Sequence, residues 1–162
     1  MDIGDPLPDF TLPKVGPKVG PKAGKGTVSA SDYAGRALVL YFYPRADTPG
    51  CTTQAVDFTA SRAEFDSLGA DVLGVSKDPV AKLEKFVLKR DLGIDLASDA
   101  DSDLSETFGV WVEKNMYGKT YMGIERATFL FGSDGKLMRS WHKVRAKDHA
   151  EAVLDAFRSE VG

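Results

Sequence analysis

The sequence predicts an α/β fold with a central mixed β-sheet flanked by helices, and three stretches carry that prediction. Ala37-Leu-Val-Leu-Tyr-Phe-Tyr43, the amphipathic segment from Thr52 to Leu68, and Asp71-Val-Leu-Gly-Val-Ser76 form one strand–helix–strand unit. Such a unit carries a right-handed crossover and two parallel strands. Arg126 to Phe131 and Lys136 to His142 flank Gly132-Ser-Asp-Gly135, the pattern of an antiparallel hairpin. After it, Ala150, Val153, Leu154 and Phe157 recur at helical spacing, so a C-terminal helix covers the sheet.

In chain order, Phe10-Thr-Leu12 and Gly26-Thr-Val-Ser29 predict a short N-terminal β-hairpin extension. Between them, residues 14–25 read Lys-Val-Gly-Pro, Lys-Val-Gly-Pro, Lys-Ala-Gly-Lys. This basic Gly- and Pro-rich repeat argues against helix or central strand and predicts an extended, exposed loop. The run at 37–43 is apolar on both alternations, as expected of a strand covered on both faces, and Pro44 ends it. In the helix that follows, Ala55, Phe58, Phe65 and Leu68 share one face, and Gly69 stops it.

Asp78-Pro79 predicts a second helix start, with Asp78 as N-cap and Leu83, Phe86 and Val87 as the buried stripe, closed by Asp91 to Gly93. Ile94 to Ala97 predicts a short strand, and Leu104 to Phe108 a short helix. The acidic run Asp99 to Asp103 lacks the spacing of a calcium site and is expected to be a solvated turn and N-cap. Gly109 to Met122, rich in glycine and aromatics, is expected to be a loop beside the functional site.

The 162 residues, 43% hydrophobic and 28% charged, suit one globular domain spanning 1–162. A net charge of −3 gives no reason to expect nucleic acid as a partner. No run is apolar over the roughly 18 residues that a membrane span needs. The first residues carry neither a basic nor an apolar leader pattern. A chain with one cysteine forms no internal disulfide, which fits a reducing, cytoplasmic setting.

That cysteine, Cys51, falls beyond the carboxyl end of a parallel strand, on the first turn of the next helix, where open α/β sheets place binding sites. Free backbone N–H groups and the helix dipole there favour an anion. A free thiol titrates near ~8.5, and helix N-termini or nearby cations lower this to roughly 3.5–7.5, giving a nucleophilic thiolate. The rival reading is a small buried hydrophobe. The turn favours chemistry: Thr48 and Thr52 supply hydroxyls, Pro49 stiffens the loop, and Gly50 admits close approach of a ligand. His142 and His149 show no partner pattern and read as surface or structural residues.

Tyr43-Pro44 and Asp47-Thr-Pro-Gly-Cys-Thr-Thr53 strongly resemble the active-site loop of peroxiredoxins of the bacterioferritin comigratory, or Q-type, group. Pro8-Asp-Phe-Thr-Leu12, Gly109-Val-Trp111, Met116-Tyr-Gly-Lys119, Tyr121-Met-Gly-Ile124, Arg126-Ala-Thr-Phe129 and Asp134-Gly-Lys136 resemble that group's motifs, in order. The resemblance implies a thioredoxin-like fold and a thiol-dependent peroxidase that needs no metal or cofactor. It implies that Cys51 is the peroxidatic nucleophile, with Arg126 beside it and Thr48 holding the peroxide. Pro44, Pro49 and Gly50 would shape the substrate pocket. Many Q-type members act as monomers, which becomes the expectation here.

Where many members of the group carry a resolving cysteine, in Cys-Thr-Thr-Glu-Ala-Cys, this chain reads Cys51-Thr-Thr-Gln-Ala-Val56. The expected cycle is therefore a one-cysteine one, in which thioredoxin, glutaredoxin or glutathione resolves the oxidised Cys51. Gln54 replaces the usual acid, and Arg45-Ala46 differs from the commoner Lys-Asp. Two rivals remain at this point. A thiol–disulfide oxidoreductase would want Cys-x-x-Cys, which Gln54 denies. A peroxide sensor without turnover, or a binding protein on the same fold, would use Cys51 once or not at all.

Overall fold

In a computed structural model, which describes residues 1–20 and 23–161, nine strands, four α-helices and one short 3-10 helix (Ala30–Tyr33) follow the chain among the described residues. They are β1 (Thr11–Val15), β2 (Lys25–Ser29), β3 (Ala37–Phe42), α1 (Pro49–Ser67), β4 (Ala70–Ser76), α2 (Val80–Arg90) and β5 (Asp95–Ser98). Then come α3 (Leu104–Thr107), β6 (Trp111–Met116), β7 (Lys119–Ile124), β8 (Ala127–Phe131), β9 (Leu137–Trp141) and α4 (His149–Val161). Seven strands make one mixed sheet in the order β2-β1-β5-β4-β3-β8-β9. β3, β4 and β5 are parallel, while β1 and β8 join them antiparallel.

The alternation along β3 explains its unbroken apolar sequence. Val39, Tyr41 and Tyr43 enter one core with Ala55, Phe58 and Phe65 of α1, Leu83, Phe86 and Val87 of α2, and Val153 and Phe157 of α4. Leu38, Leu40 and Phe42 enter the other, with Leu104, Phe108, Val110, Phe129 and Leu137. Burying both faces makes β3 a rigid floor, and α1 begins only a few residues beyond its end. Of the expected α1 stripe, Leu68 lies at the helix C-cap and is exposed.

The tertiary structure corrects four expectations. The basic repeat is not all loop: Lys14 and Val15 belong to β1 and Lys25 to β2, with Lys14 paired to Ala97 and Val15 to Leu96 of β5. Pro13, which has no N–H, is tolerated because β1 pairs with β5 only from Lys14 onward. Pro21 and Lys22 of the repeat lie outside the described residues. Gly109 to Met122 is not a loop but mostly the two-stranded β6–β7 ribbon, whose turn uses Tyr117 and Gly118, both at positive φ. A two-residue turn of that kind matches strand twist, so it favours a hairpin.

Asp99 is fully buried, not solvated, and accepts from the backbone N–H groups of Leu104 (3.1 Å) and Ser105 (2.8 Å). It satisfies the start of α3, and Lys77 balances its charge at 3.3 Å. Asp78 does not cap α2, where Pro79 takes the N-cap position. Its carboxylate turns instead to the loop before α1.

Candidate active site

The site forms where β3 ends and α1 starts. Pro44 leaves the sheet, Asp47 adopts a left-handed backbone conformation (φ 60°), and Thr48 takes the α1 N-cap in extended geometry. Pro49 occupies the first helical position, where its missing N–H is harmless. The first intrahelical bond is Thr52 N–H to the Thr48 carbonyl at 2.8 Å. The N–H groups of Gly50 and Cys51 thus come before the hydrogen-bonded ladder and point out of the helix start.

Two aspartates hold this loop. Asp78, buried, accepts the Ala46 N–H at 2.7 Å and the Ser76 hydroxyl at 2.8 Å. Asp47 pairs with Lys89 at 2.8 Å and Arg90 at 3.1 Å, both at the end of α2. Lys89, and then Arg90, hold the Asp47 carboxyl below its ordinary value against some desolvation. The Thr48 hydroxyl donates to the Arg45 carbonyl at 2.9 Å, which leaves its oxygen lone pairs free to accept.

Cys51 is 1% exposed, and its sulfur receives a hydrogen bond from Arg126 Nη2 at 3.3 Å. Arg126 enters from the residue before β8, and its Nη1 donates to Gln54 Oε1 at 2.7 Å. One guanidinium therefore bridges two residues one helical turn apart on α1. Gly50 makes room for it: a Cβ there would stand 3.1 Å from Arg126 Nη2. The close approach that Gly50 permits is thus by the arginine of the same chain.

The wall behind the thiol is aromatic. Tyr41 stacks on Phe58 at 4.7 Å and lies 5.6 Å from Tyr43. Burial pushes both phenols well above their ordinary range, and Cys51 adds to this. Among the described residues, the Tyr41 hydroxyl, Thr52 Oγ1 and Gln54 Nε2 are buried without a hydrogen-bond partner. His149, read from sequence as surface or structural, is buried at the start of α4. Its Nε2 meets the Thr128 hydroxyl at 2.8 Å, between Phe58 and Trp141. His142 pairs with Glu125 at 3.2 Å.

Of the residues expected at the site, the loop groups Pro44, Thr48, Pro49 and Gly50 lead into Cys51 along the chain, and Arg126 joins Cys51 through the fold. Gln54 and Asp78 were missed as site residues. A polar side chain one turn after Cys51, and an aspartate at the end of the neighbouring parallel strand, were the available signals. Among the described residues, no three His, Cys, Asp or Glu side chains converge as a metal site.

Comparison with known proteins shows the family. The AhpC/TSA family model matches residues 3–140. Peroxiredoxin Bcp of Bacillus subtilis is 43% identical over 158 residues, covering 98% of this chain and 96% of that one. A solved structure of a Xylella fastidiosa PrxQ cysteine mutant superposes with a TM-score of 0.89 at 35% identity, covering 100% of this chain and 98% of that one. The Xanthomonas campestris bacterioferritin comigratory protein superposes at 0.83 with 39% identity, covering 98% of this chain and all of that one; its structures bear on alkyl peroxide reduction. The chain therefore belongs to the AhpC/TSA family, as a thioredoxin-fold peroxiredoxin of the Bcp, or Q-type, group with a single cysteine.

Proposed function

We propose that this peroxiredoxin is a one-cysteine, thiol-dependent peroxidase in which Cys51 is the nucleophile toward hydrogen peroxide and alkyl hydroperoxides. The observation that carries the reading is the 3.3 Å contact from Arg126 Nη2 to Cys51 Sγ at a helix N-terminus. A guanidinium is permanently charged, so it stabilises the thiolate and then the charge developing on the leaving oxygen. The thiolate attacks the terminal peroxide oxygen, forming S–O as O–O breaks. The sulfur is oxidised by two electrons to a sulfenic acid, and the departing alkoxide takes a proton and leaves as an alcohol, or as water from hydrogen peroxide.

Thr48 suits the role of acceptor for the peroxide O–H, because its own proton is already donated to Arg45. The N–H groups of Gly50 and Cys51 would bind the peroxide oxygens, with Pro44 and Pro49 shaping the mouth. Resolution needs a thiol from another molecule, since Cys51 is the single cysteine of the chain. A thiol R–SH attacks the sulfenic acid, releasing water and leaving a mixed disulfide. A second thiol then frees Cys51 and leaves the reductant as its disulfide. Thioredoxin, glutaredoxin and glutathione are the reductants this chemistry suggests. We read the chain as a monomer of a reducing, cytoplasmic compartment, since both halves of the site come from one chain. No helix among the described residues is long and apolar enough to cross a membrane.

Stopped-flow consumption of hydrogen peroxide and tert-butyl hydroperoxide by the reduced protein tests this, with Cys51→Ser and Arg126→Ala alongside. Fast reaction that Cys51→Ser abolishes, that Arg126→Ala slows by about 10²–10³-fold, and that adds one oxygen by mass spectrometry is the expected result. Reaction no faster than free cysteine would sink the peroxidase reading. Sustained turnover with excess thiol separates an enzyme from a sensor that reacts once.

A further inference from the structure

A second cation, on the β6–β7 ribbon, holds the segment that leads into Arg126. Lys114, half-buried on β6, donates from its ammonium to the Ile124 carbonyl, two residues before Arg126. In the ribbon register Val112 faces Gly123 and Lys114 faces Tyr121, so the Lys114 stem runs diagonally across Gly123. A Cβ at Gly123 would stand 3.2 Å from Lys114 Cδ, 3.4 Å from Cε and 3.4 Å from the Tyr121 ring. Glycine there leaves the stem its track. The same stretch is tied from the other side, where the Glu125 N–H donates to the Val110 carbonyl at 2.7 Å. The segment that delivers Arg126 is held by several backbone ties, among them Val144 N–H to the Arg126 carbonyl at 3.0 Å, and by one lysine side chain.

The titratable groups whose charge acts on Lys114 are Arg126, Cys51 and Glu125. Burial first, and then Arg126, push the Lys114 ammonium below its ordinary value, while Cys51 and Glu125 oppose this. Two neighbouring cations repel each other unless an anion answers both, and the thiolate of Cys51 or an anionic substrate is such a group.

We propose that Lys114 is a further positioning residue for the reaction at Cys51, fixing the segment that bears Arg126 and biasing the pocket toward peroxides that carry negative charge. This rests on the reading of Cys51 as the peroxidatic residue. Lys114 has two effects that separate experimentally. Its bond to Ile124 bears on every peroxide, through the placement of Arg126. Its charge bears most on an anionic peroxide, and that part fades as salt screens it.

The test compares second-order rate constants for hydrogen peroxide and for peroxymonosulfate, an anionic peroxide, at low and high ionic strength. The proteins are the unsubstituted chain, Lys114→Met, Lys114→Arg and Gly123→Val. In Lys114→Met the hydrogen peroxide rate is expected to fall about three- to tenfold and the peroxymonosulfate rate about tenfold further at low salt, the extra loss shrinking at high salt. Lys114→Arg, which keeps the charge, is expected to recover the rate with peroxymonosulfate that Lys114→Met loses in excess.

Gly123→Val crowds the Lys114 stem and the Tyr121 ring, so a purely structural role for this corner predicts a lower melting temperature with an unchanged rate. The proposal predicts a slower rate, because the lysine is displaced. Rates within twofold of the unsubstituted protein for both peroxides, in both Lys114→Met and Gly123→Val, overturn the proposal while leaving Cys51 as the nucleophile. Losses equal for the two peroxides and accompanied by a matching fall in melting temperature also overturn it. An unsubstituted protein that reacts with neither peroxide overturns the peroxidatic reading itself, and this proposal with it.

Discussion

Arg126 and Gln54, 72 positions apart in sequence, are joined by a 2.7 Å hydrogen bond that aims the other arm of the same guanidinium at Cys51. Gln54 is fully buried one turn beyond Cys51, so α1 carries both the nucleophile and the fixture for its cation. A fork with one arm anchored gives up less freedom when the second arm engages the sulfur.

Gln54→Leu keeps the size of the side chain and removes the acceptor. It leaves a partly buried guanidinium N–H unpaired, and the expected cost is about 1–3 kcal/mol of stability. The rate with hydrogen peroxide is expected to fall about tenfold as Arg126 loses its aim. Gln54→Glu, which still accepts from Arg126, is expected to retain most of the rate. Chemical denaturation and stopped-flow kinetics read the two effects, and a Gln54→Leu protein at full speed would show that Arg126 needs no fixture.

Asp78 ties the end of β4 to the loop that precedes Cys51. Asp78→Ala leaves the Ala46 N–H and the Ser76 hydroxyl without their acceptor, an expected loss of about 1–3 kcal/mol. The peroxide reaction is expected to slow together with it, since Thr48 lies only two residues from Ala46. Thermal melts and rates measured on one preparation decide the matter. A destabilised variant with an unchanged rate would confine Asp78 to holding the fold.

His149 gives a pH dependence whose sign is fixed. Burial first, and then the positive charge of Arg126, push its pKa from 6.5 down to about 4 in the folded chain. Between those values the unfolded chain binds the proton and the folded one does not, so stability rises with pH. His149 therefore contributes its full share above about pH 6.5, and that share is lost as pH falls toward 4. His149→Gln can keep a hydrogen bond to Thr128 but cannot titrate. Its melting temperature is expected to change less between pH 7 and pH 4.5 than that of the unsubstituted protein; equal slopes would count against His149 as the titrating group.

Val56 is 42% exposed on the same helix as Cys51, five residues on. Five residues of α-helix rise about 7.5 Å, beyond the roughly 7 Å between Cα atoms that a disulfide spans. Val56→Cys is therefore expected to form an intramolecular disulfide on peroxide treatment only if the first turns of α1 unwind, with a matching loss of helical circular dichroism. Disulfide formation with helicity intact would show that α1 bends rather than opens.

The fold and half of the site were legible because they are local. A strand apolar on both alternations, a Pro-Gly turn and an amphipathic segment with Cys51 at its start are contiguous, so short-range sterics and burial pattern suffice to place the thiol. The hairpin at 127–141 and the closing helix were readable for the same reason. The ribbon at 111–124 was not, because its strands are largely exposed and carry no clean apolar alternation. The Asp99 and Asp78 carboxylates read as ordinary turn and cap residues, since nothing nearby in sequence says that each will be buried against backbone N–H groups.

The sequence by itself determined that a lone cysteine stands at a helix N-terminus beyond a parallel strand, and that no second cysteine can resolve it within the chain. Resemblance of motifs pointed to Arg126 but gave no geometry. Only the tertiary structure decided that Arg126 meets Cys51 across 75 positions, that Gln54 anchors it, and that Lys114 reaches the same segment over Gly123. The physical reason is range. Helix starts, turns and strands follow from neighbouring residues, whereas the placing of one charge beside another depends on antiparallel pairing of β3 with β8 and on the space that glycines leave free.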